Sequence, residues 1–444
     1  MPSTLYEREL PPLPPPKKLG TVLVIGGCGF LGRSVVDQLL NFPSEKQSSQ
    51  TAQTQSASLG PNKGRYEYNL EPLSTRYPPI DQAATTVHAL DLRCTKNRLP
   101  GCTYHEADIT DADQLRTVFK TVQPDVVINT ASPQFDAPHA ILRKVNIDGT
   151  KTLLDVAGNH KSWSKDGDKR CRAFVHTSSS SVIHDAQSDL KNADERWPYH
   201  VPNKNEFYSE TKAVAERMVL AANGGEDVGG MLTAAVRPAG ITGEGDMGGI
   251  SYSICKTAAV APGWQLNLQL GEGDNLFDTT YVGNVVLGLL LVAEGLLTTS
   301  RRVGESGVKD GGILEHERID GEAFIVTNDQ PCYFWEITRF MYSRMGREGV
   351  GARDKVWALP QDFAALIGGL SEIFGALTGR KGKINRQTVK YSCIHRYYSC
   401  EKLKRRCGYI PVVGVEEGLM RSVKWFRDWE ENEAAKQGQE KKTQ

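Results

Sequence analysis

The feature that most constrains this chain is a short apolar strand that runs directly into a glycine-rich turn. Residues 21–25 read TVLVI, and glycines follow in G-x-x-G-x-x-G spacing before a helical pattern of leucines and valines. Glycine permits the tight turn, lets the backbone approach a phosphate, and lets the helix pack closely on the strand. The helix N-terminus then faces the phosphates. We therefore predict that a dinucleotide pyrophosphate binds at Gly26, Gly29, Phe30, Leu31 and Gly32.

Strand and helix patterns alternate beyond that turn. Strands are predicted at 86–91, 125–129, 173–177 and 232–237, with helices at 112–122, 140–157 and 206–222. Such alternation builds a doubly wound parallel sheet. The predicted fold class is therefore α/β, with a Rossmann-type doubly wound sheet over residues 19–240 and a smaller C-terminal substrate-binding region over 241–430.

Three stretches are predicted to lie outside this plan. The Pro-rich N-terminus, residues 1–18, is interpreted as flexible, and residues 431–444 as a charged tail. Residues 43–84 include the polar, low-complexity run SEKQSSQTAQTQSAS and are predicted to be a disordered loop insertion.

Segment 356–377 is the most apolar part of the chain. Pro360, Asp362 and Glu372 argue against a membrane span, because a carboxylate at the bilayer centre costs about 2.5–3.5 kcal/mol. Segment 356–377 is therefore interpreted either as a buried helix pair or as an interfacial helix that lies on a membrane.

Charge and cysteine content exclude some classes of function. Lys+Arg and Asp+Glu both number 53, whereas nucleic-acid binders usually carry a basic excess. The nine cysteines include no CxxC pair, which indicates a reduced, cytosol-facing compartment. Cys393, Cys400 and Cys407 are spaced more widely than zinc ligands usually are, so no metal site is predicted.

The end of the second strand predicts which dinucleotide binds. VHALD ends at Asp91, and a carboxylate there bonds the ribose 2′-hydroxyl and repels a 2′-phosphate, which favours NAD over NADP. Arg93 could hold such a phosphate, so NADP stays possible. Later strand ends add the other predicted cofactor contacts, which are Asp108, Ile109, Thr130, Ala131 and Ser132.

A Y-x-x-x-K pair supplies the predicted catalytic groups. Tyr208 and Lys212 are four residues apart and share one face of a helix. A free tyrosine has a pKa of about 10, but a nearby ammonium and the nicotinamide cation favour the phenolate. Tyr208 is predicted to take the substrate's hydroxyl proton as hydride leaves, while Lys212 also holds the nicotinamide ribose.

A hydroxyl cluster precedes this pair in the sequence. The run HTSSSS ends a predicted strand, and Ser179 is predicted to orient the substrate oxygen. Thr177, Ser178 and Ser180 stay as alternatives, because strand alternation decides which face each side chain takes.

These segments together resemble the extended short-chain dehydrogenases/reductases, and more narrowly the 3β-hydroxysteroid dehydrogenase family. The general motifs are GGCGFLG (26–32), VINTASP (127–133), KVNIDGTKTLLD (144–155), HTSSSSVI (176–183), YSETKAVAE (208–216) and VRPAGITG (236–243). The motifs typical of the sterol branch are FDTTYVGNVV (277–286), FIVTNDQPCYFWE (324–336) and YYSCEKLKRRCGYIP (397–411). The resemblance covers most of residues 19–430.

The resemblance implies an NAD(P)-dependent enzyme of sterol biosynthesis. Relatives of this branch oxidise the 3β-hydroxyl of a 4α-carboxysterol to the ketone, with loss of carbon dioxide. By resemblance, Tyr208 is the proton acceptor, Lys212 the cofactor-holding lysine and Ser179 the serine, while Pro238 lies in the loop against nicotinamide. The resemblance also implies peripheral attachment to the cytosolic face of the endoplasmic reticulum or to lipid droplets. The implied partners are a sterol C4-methyl oxidase and a 3-ketosteroid reductase.

Three alternatives stay open at this point. The first is a related extended dehydrogenase that acts on another triterpenoid. The second is a nucleotide-sugar epimerase, which should show a polar C-terminal half with phosphate-binding Arg or Lys. The third is a non-catalytic dinucleotide sensor, and such proteins often lose the Tyr-Lys pair.

Overall fold

The computed structural model describes residues 13–54, 70–165, 167, 169–224, 230–306, 314–347, 350, 355–378 and 386–443. The predictions for residues 1–12 and 55–69 lie outside the described residues. The strands are β1 (Gly20–Ile25), β2 (Thr85–Asp91), β3 (Thr103–Glu106), β4 (Val126–Asn129), β5 (Ala173–Thr177), β6 (Leu190–Ala193), β7 (Leu232–Pro238), β8 (Gly240–Thr242), β9 (Leu268–Leu270), β10 (Leu276–Phe277), β11 (Thr279–Tyr281), β12 (Glu322–Val326), β13 (Cys332–Tyr333), β14 (Trp357–Leu359) and β15 (Arg396–Tyr398).

The helices connect and cover these strands. They are α1 (Phe30–Leu39), α2 (Pro43–Thr54), α3 (Ala112–Val122), α4 (His139–Leu142), α5 (Thr150–Gly158), α6 (Phe207–Ala221), α7 (Ile250–Val260), α8 (Gly263–Leu266), α9 (Val282–Ser306), α10 (Phe334–Arg344), α11 (Gln361–Thr378), α12 (Arg386–Cys393), α13 (Glu401–Cys407) and α14 (Val415–Thr443). A π-helical segment, Arg143–Gly149, joins α4 to α5.

The central sheet confirms the predicted Rossmann-type fold. Seven parallel strands lie in the order β12-β7-β5-β4-β1-β2-β3. The inner strand β1 is covered on both faces, as a parallel sheet requires. Val22 and Val24 pack with α1 and α9 on one face, while Leu23 and Ile25 pack with α3, α5 and α6 on the other.

Helix α9 is the longest apolar helix against this sheet. Its Val282–Val303 stretch, with a mean hydropathy of 1.8, is apolar and long enough to cross a membrane, but 78% of its apolar window is buried inside the protein. Its main neighbours are β5, β7 and α1. The apolar composition of α9 is therefore used in the core.

The central sheet and a second, four-stranded sheet each contain strands from both halves of the chain. The chain therefore does not divide into two separate structural units at residue 240, the predicted boundary. Strand β12 comes from the C-terminal half, yet it pairs with β7 at the edge of the central sheet. Strand β6 comes from the N-terminal half, yet it pairs with β15 in a second sheet of order β13-β10-β15-β6. Each of these pairings supplies hydrogen-bond partners to a strand that would otherwise be an exposed edge.

The prediction that residues 43–84 form a disordered loop is wrong for the part that the structure describes. Residues 43–54 form α2, and Leu73, Tyr77 and Ile80 are buried. The Glu45 carboxylate accepts hydrogen bonds from the Leu73 amide at 2.6 Å and the Ser74 hydroxyl at 2.7 Å. The prediction relied on the polar composition of residues 43–84. It overlooked Leu73, Tyr77 and Ile80, whose apolar side chains pack in the core.

The two other outlying segments also have regular structure. Residues 431–443, predicted as a charged tail, continue α14. Segment 356–377 forms β14 and most of α11, and α11 packs against α12.

A buried ion pair ties α6 to the central sheet. Arg237 of β7 and Glu216 of α6 are 2% and 0% exposed, and the Arg237 Nη2 lies 2.6 Å from the Glu216 Oε1. The Tyr199 phenol donates to the same oxygen at 2.6 Å. Because each charge is buried, each depends on the other for compensation.

We expect Glu216→Gln to lower the free energy of unfolding by about 3–5 kcal/mol, because the buried Arg237 charge loses its counter-ion. Urea unfolding followed by circular dichroism measures the change. Lys424→Ala is the matched control, since it breaks an exposed pair with Asp428 that is worth about 0.5 kcal/mol or less. Equal losses in the two variants would contradict the role of burial.

Candidate active site

The glycine turn brings α1 into direct contact with the end of β1. Gly26 has a φ of +77°, which favours glycine. A Cβ on Gly32 would lie 2.0 Å from the Gly26 carbonyl oxygen, so only glycine lets the helix approach this closely. The Gly26 amide donates to the Leu90 carbonyl at 2.8 Å, which fixes the turn beside the end of β2.

The start of α1 fits an anionic group. Its N-cap, Gly29, offers no side-chain hydrogen bond, and the first helical turn has no acidic residue. A Cβ on Gly29 would meet only the Gly26 carbonyl oxygen, at 3.2 Å. An uncapped, ten-residue helix with an open side is suited to a pyrophosphate. Phe30 and the buried Leu31 form the first residues of this helix.

Asp91 ends β2 against this turn. Its Oδ2 accepts a hydrogen bond from the Cys28 amide at 3.0 Å, and its Oδ1 accepts from the Leu92 amide at 2.8 Å. These two bonds fix the carboxylate where the adenosine ribose is predicted. Arg93 is exposed.

Asp108 and Ile109 have local partners at the next strand end. The Asp108 Oδ1 accepts from the Thr110 amide at 2.9 Å, and its Oδ2 pairs with the Lys144 ammonium at 3.2 Å. Ile109 is buried, and a Cβ on Gly149 would touch its side chain. The Asp108 carboxylate is therefore engaged by the protein itself, and its predicted cofactor contact stays a prediction.

The end of β4 closes the floor of the crevice. The Thr130 hydroxyl donates to the Ile25 carbonyl at 2.7 Å. A Cβ on Gly26 would lie 2.9 Å from the Ala131 backbone. Thr130 and Ala131 therefore lie directly against the glycine turn, and their predicted contact with the cofactor stays a prediction.

Tyr208 belongs to a cluster of polar side chains. Burial raises the pKa of the partly buried Tyr208 phenol to about 12, and a hydrogen bond to the Ser132 hydroxyl opposes this rise. The Ser132 hydroxyl donates to the Asn146 Oδ1 at 3.1 Å, and the Asn146 Nδ2 donates to the Thr211 hydroxyl at 3.0 Å. That hydroxyl donates to the Tyr208 carbonyl at 2.7 Å. These contacts position both ends of Tyr208, the predicted proton acceptor.

Asn146 is a residue that the sequence reasoning missed. It is buried within the π-helical segment Arg143–Gly149, and π-helical turns occur frequently at functional sites. The available signal was an amide side chain inside the apolar pattern of the predicted helix at 140–157.

Lys212 is buried one helical turn after Tyr208. Its ammonium donates to the Thr177 carbonyl at the end of β5, at 2.6 Å. Burial lowers the pKa of Lys212 to about 8, and the Glu216 carboxylate opposes this fall. The lysine thus keeps its charge below about pH 8 and anchors α6 to the strand that precedes the serine cluster.

The serine cluster offers more than one hydroxyl. The Ser179 hydroxyl lies 2.8 Å from the Ser181 hydroxyl and accepts from the Ser181 amide. The buried hydroxyls of Thr177 and Ser178 have no partner among the described residues. The hydroxyl beside Tyr208 is Ser132, which was predicted as a cofactor contact, so the substrate role of Ser179 stays a prediction.

Pro238 completes the same edge of the sheet. It is the last residue of β7, two residues after Val236, whose carbonyl accepts from the Ser178 amide at 2.8 Å. Parallel strands therefore bring the glycine turn, the serine cluster and Pro238 to one carboxyl edge, where doubly wound folds bind their ligands.

Comparison with solved structures supports the fold. A dTDP-glucose 4,6-dehydratase from Bacillus anthracis, in complex with NAD, matches with a TM-score of 0.57 at 17% identity over 93% of this chain and 98% of that one. A UDP-glucose 4-epimerase from Thermotoga maritima, with UDP-glucose, matches with a TM-score of 0.56 at 17% identity over 92% and 98%. At this level of identity the likeness concerns the fold alone.

Comparison of sequences gives a narrower result. The chain is 31% identical to a sterol-4-alpha-carboxylate 3-dehydrogenase, decarboxylating, of Saccharomyces cerevisiae, over 92% of this chain and 98% of the relative. It is 28% identical to the mouse protein of the same description, over 91% and 90%. The model of the 3-beta hydroxysteroid dehydrogenase/isomerase family matches residues 80–360. The chain therefore belongs to the 3-beta hydroxysteroid dehydrogenase/isomerase family.

Proposed function

We propose that this protein is an NAD-dependent oxidoreductase that converts the 3β-hydroxyl of a 4α-carboxysterol to the 3-ketone with loss of carbon dioxide. The observation that carries the proposal is the placement of Tyr208 and the buried Lys212 on α6, at the sheet edge that also bears the glycine turn. The named relatives, which match over nearly their full length, support the choice of substrate.

The proton chemistry follows from the environment of Tyr208. When bound at the glycine turn, the dinucleotide supplies the hydride acceptor and a positive charge. The Lys212 ammonium adds a second positive charge, and both favour the phenolate over the phenol. Tyr208 then takes the proton of the 3-hydroxyl. The Ser132–Asn146 hydrogen bonds hold the phenol in place for this transfer.

Decarboxylation follows from the product of that oxidation. The new ketone is β to the carboxylate, so the electron pair of the C4–carboxyl bond can move into the carbonyl as carbon dioxide leaves. The Tyr208 phenol returns its proton to the resulting enolate oxygen, and the enol rearranges to the ketone with that proton on C4. The proton taken from the hydroxyl thus ends on C4, and the step needs no further reactant.

The first experiment follows reduced cofactor and carbon dioxide together, with a 4α-carboxysterol as substrate. We expect equal amounts of the two products, and we expect Tyr208→Phe to reduce kcat by about 10²–10⁴-fold while cofactor binding is kept. Tyr333→Phe, at an exposed tyrosine, is the control and should keep wild-type activity.

Other outcomes of this experiment identify the alternatives. Reduced cofactor without carbon dioxide would indicate a plain 3-hydroxysteroid dehydrogenase. If neither product forms, the sterol assignment is wrong, and substrates of the triterpenoid and nucleotide-sugar classes are tested next. Full activity of Tyr208→Phe would contradict the role of this phenol.

The preference for NAD is proposed from Asp91. Its carboxylate is fixed beside the glycine turn, where it would bond a ribose 2′-hydroxyl and repel a 2′-phosphate. We expect Asp91→Asn to lower the ratio of kcat/KM for NAD to that for NADP by about 10- to 100-fold, the range for hydrogen bonds to a charged group. Asp113→Asn, at an exposed carboxylate on α3, is the control, and an unchanged ratio in Asp91→Asn would refute the assignment.

We propose that the protein also binds membranes peripherally, because a sterol substrate resides there. Large apolar side chains are exposed on α11, next to β14, whose Trp357 amide donates to the Asn267 carbonyl just after α8. This apolar face consists of Val260, Trp264, Trp357, Phe363, Leu366 and Leu370, each at least 54% exposed. Aromatic and aliphatic side chains of this kind insert at the headgroup boundary.

We expect the triple variant Phe363→Ser, Leu366→Ser, Leu370→Ser to lose most binding to phosphatidylcholine–phosphatidylserine vesicles in a flotation assay. Burial of each such side chain contributes about 1.5–3 kcal/mol, so even one loss weakens binding more than tenfold. Ile410→Ser, at an exposed apolar residue outside the apolar face, is the control. Unchanged flotation of the triple variant would refute the proposal.

The substrate and the product of the proposed reaction indicate which enzymes act before and after this protein. The substrate needs an enzyme that oxidises a C4 methyl group to a carboxylate, and the product needs one that reduces the 3-ketone. We therefore propose a sterol C4-methyl oxidase and a 3-ketosteroid reductase as partners, at the cytosolic face of the endoplasmic reticulum or on lipid droplets. Co-purification of the three enzymes from solubilised membranes tests this association.

A further inference from the structure

Arg396 is a half-buried arginine without an acidic partner among the described residues. It begins β15 in the second sheet. Its guanidinium carbon lies 4.8 Å from the ring centre of Phe277 and 4.6 Å from that of Tyr391. Within the described parts of the chain, none of its guanidinium N–H groups donates a hydrogen bond to an acceptor. The two aromatic rings position the guanidinium by stacking. Its N–H donors are therefore available to bind a ligand.

The carboxylates around Arg396 are already engaged elsewhere. The Asp278 Oδ2 accepts from the Tyr398 amide at 2.7 Å. The Asp189 carboxylate pairs with Lys191 at 3.2 Å. The Glu206 Oε1 accepts from the Tyr391 phenol at 2.6 Å, and its Oε2 accepts from the Ser209 hydroxyl. Each of these acids has at least one donor of its own, although the Asp278 Oδ1 has none among the described residues, and none of the three forms an ion pair with Arg396.

Arg396 lies close to two parts of the candidate active site. Its stacking partner Tyr391 bonds to Glu206, the N-cap of α6, two residues before Tyr208. On the same face of β15, two residues on, the Tyr398 phenol hydrogen bonds to the Ser180 hydroxyl in the serine cluster. β15 therefore reaches the serine cluster through Tyr398, and α12 reaches the start of α6 through Tyr391. Arg396 is the cation that lies next to both tyrosines.

A cavity lies beside α12, the helix that carries the same tyrosine. It has a volume of about 350 Å³ and lies between α11, α12 and Gln187. Gln387, one of its lining residues, hydrogen bonds to the Tyr391 phenol. Space for a ligand therefore lies beside Gln387, a hydrogen-bond partner of Tyr391, the residue that stacks on Arg396.

We propose that Arg396 binds the 4α-carboxylate of the sterol and so determines specificity for carboxylated substrates. The inference rests on the proposed function and names the contact that this function requires. A guanidinium suits the role because its planar fork can donate two parallel hydrogen bonds to one carboxylate. Loss of carbon dioxide removes the bound group, so the ketone product loses this contact and dissociates more readily than the substrate.

Other cations near the site are less suited to this role. The Arg237 guanidinium is buried and bonded to Glu216 through its Nε and Nη2. Lys256 is exposed on α7, with its ammonium 5.7 Å from the Tyr252 ring centre.

The test compares two sterols that differ only in charge at the 4α position, a 4α-carboxysterol and its 4α-hydroxymethyl counterpart. Equilibrium binding of each radiolabelled sterol is measured on enzyme saturated with reduced cofactor, where no turnover occurs. We expect Arg396→Gln to weaken binding of the carboxysterol by about 10- to 100-fold and to change binding of the hydroxymethyl sterol less than about twofold. Arg396→Lys should restore part of the loss, because it keeps the charge without the fork.

Lys120→Gln is the control. It removes one positive charge at an exposed position on α3, away from the carboxylates around Arg396, and it should leave the ratio of the two affinities unchanged. The ratio does not depend on the fraction of folded enzyme, since both sterols are measured on one preparation. Equal weakening of both sterols in Arg396→Gln, or no weakening, overturns the proposal for Arg396.

Failure of the proposed function has a separate signature. A wild-type enzyme that does not oxidise the 4α-carboxysterol would overturn the function and this inference together. Suppose instead that the wild-type enzyme oxidises the 4α-carboxysterol and that Arg396→Gln has the same ratio of the two sterol affinities as the wild type. Only the role of Arg396 would then be overturned.

Discussion

The close contact between α1 and the end of β1 is the constraint on which the rest of the site depends. A single added carbon at Gly32 would lie 2.0 Å from the Gly26 carbonyl oxygen, so the helix can reach this position only with glycine there. That contact places the helix N-terminus over the carboxyl edge of the sheet. The ends of β2, β4, β5 and β7 then meet at the same edge, because parallel strands share their direction.

Tyr208 is positioned by polar groups, of which Asn146, Thr211 and Lys212 are buried. Asn146 satisfies Ser132 on one side and Thr211 on the other, and Lys212 bonds to the end of β5. Such bonds are stronger in a buried site than in water, but each unsatisfied member would be costly. The same burial raises the pKa of Tyr208 and lowers that of Lys212. The proton transfer proposed for Tyr208 then requires added positive charge beside the phenol, which would tie it to the presence of the cofactor.

The parts of the site that are local in sequence could be predicted, and the parts that depend on distant contacts could not. Gly26, Gly29 and Gly32 act through their spacing, and the Y-x-x-x-K pair acts through one helical turn, so both were visible in the sequence. Asn146 gains its role only when the π-helical segment meets α6, about 60 residues later. Strand β12 and the buried residues after α2 were missed for the same reason, because their partners are far away in the chain.

Specificity in this protein must come from its site residues rather than from the fold. Sugar-nucleotide enzymes share the fold over 92–93% of the chain at 17% identity, and their substrates have little in common with a sterol. A common fold hosts different chemistry through its site residues. In this chain the two charges proposed to discriminate are Asp91, beside the glycine turn, and Arg396, next to two aromatic rings. Asp91 would exclude the 2′-phosphate of NADP, and Arg396 would require the 4α-carboxylate of the sterol. Together the two charges would select one cofactor and one class of sterol.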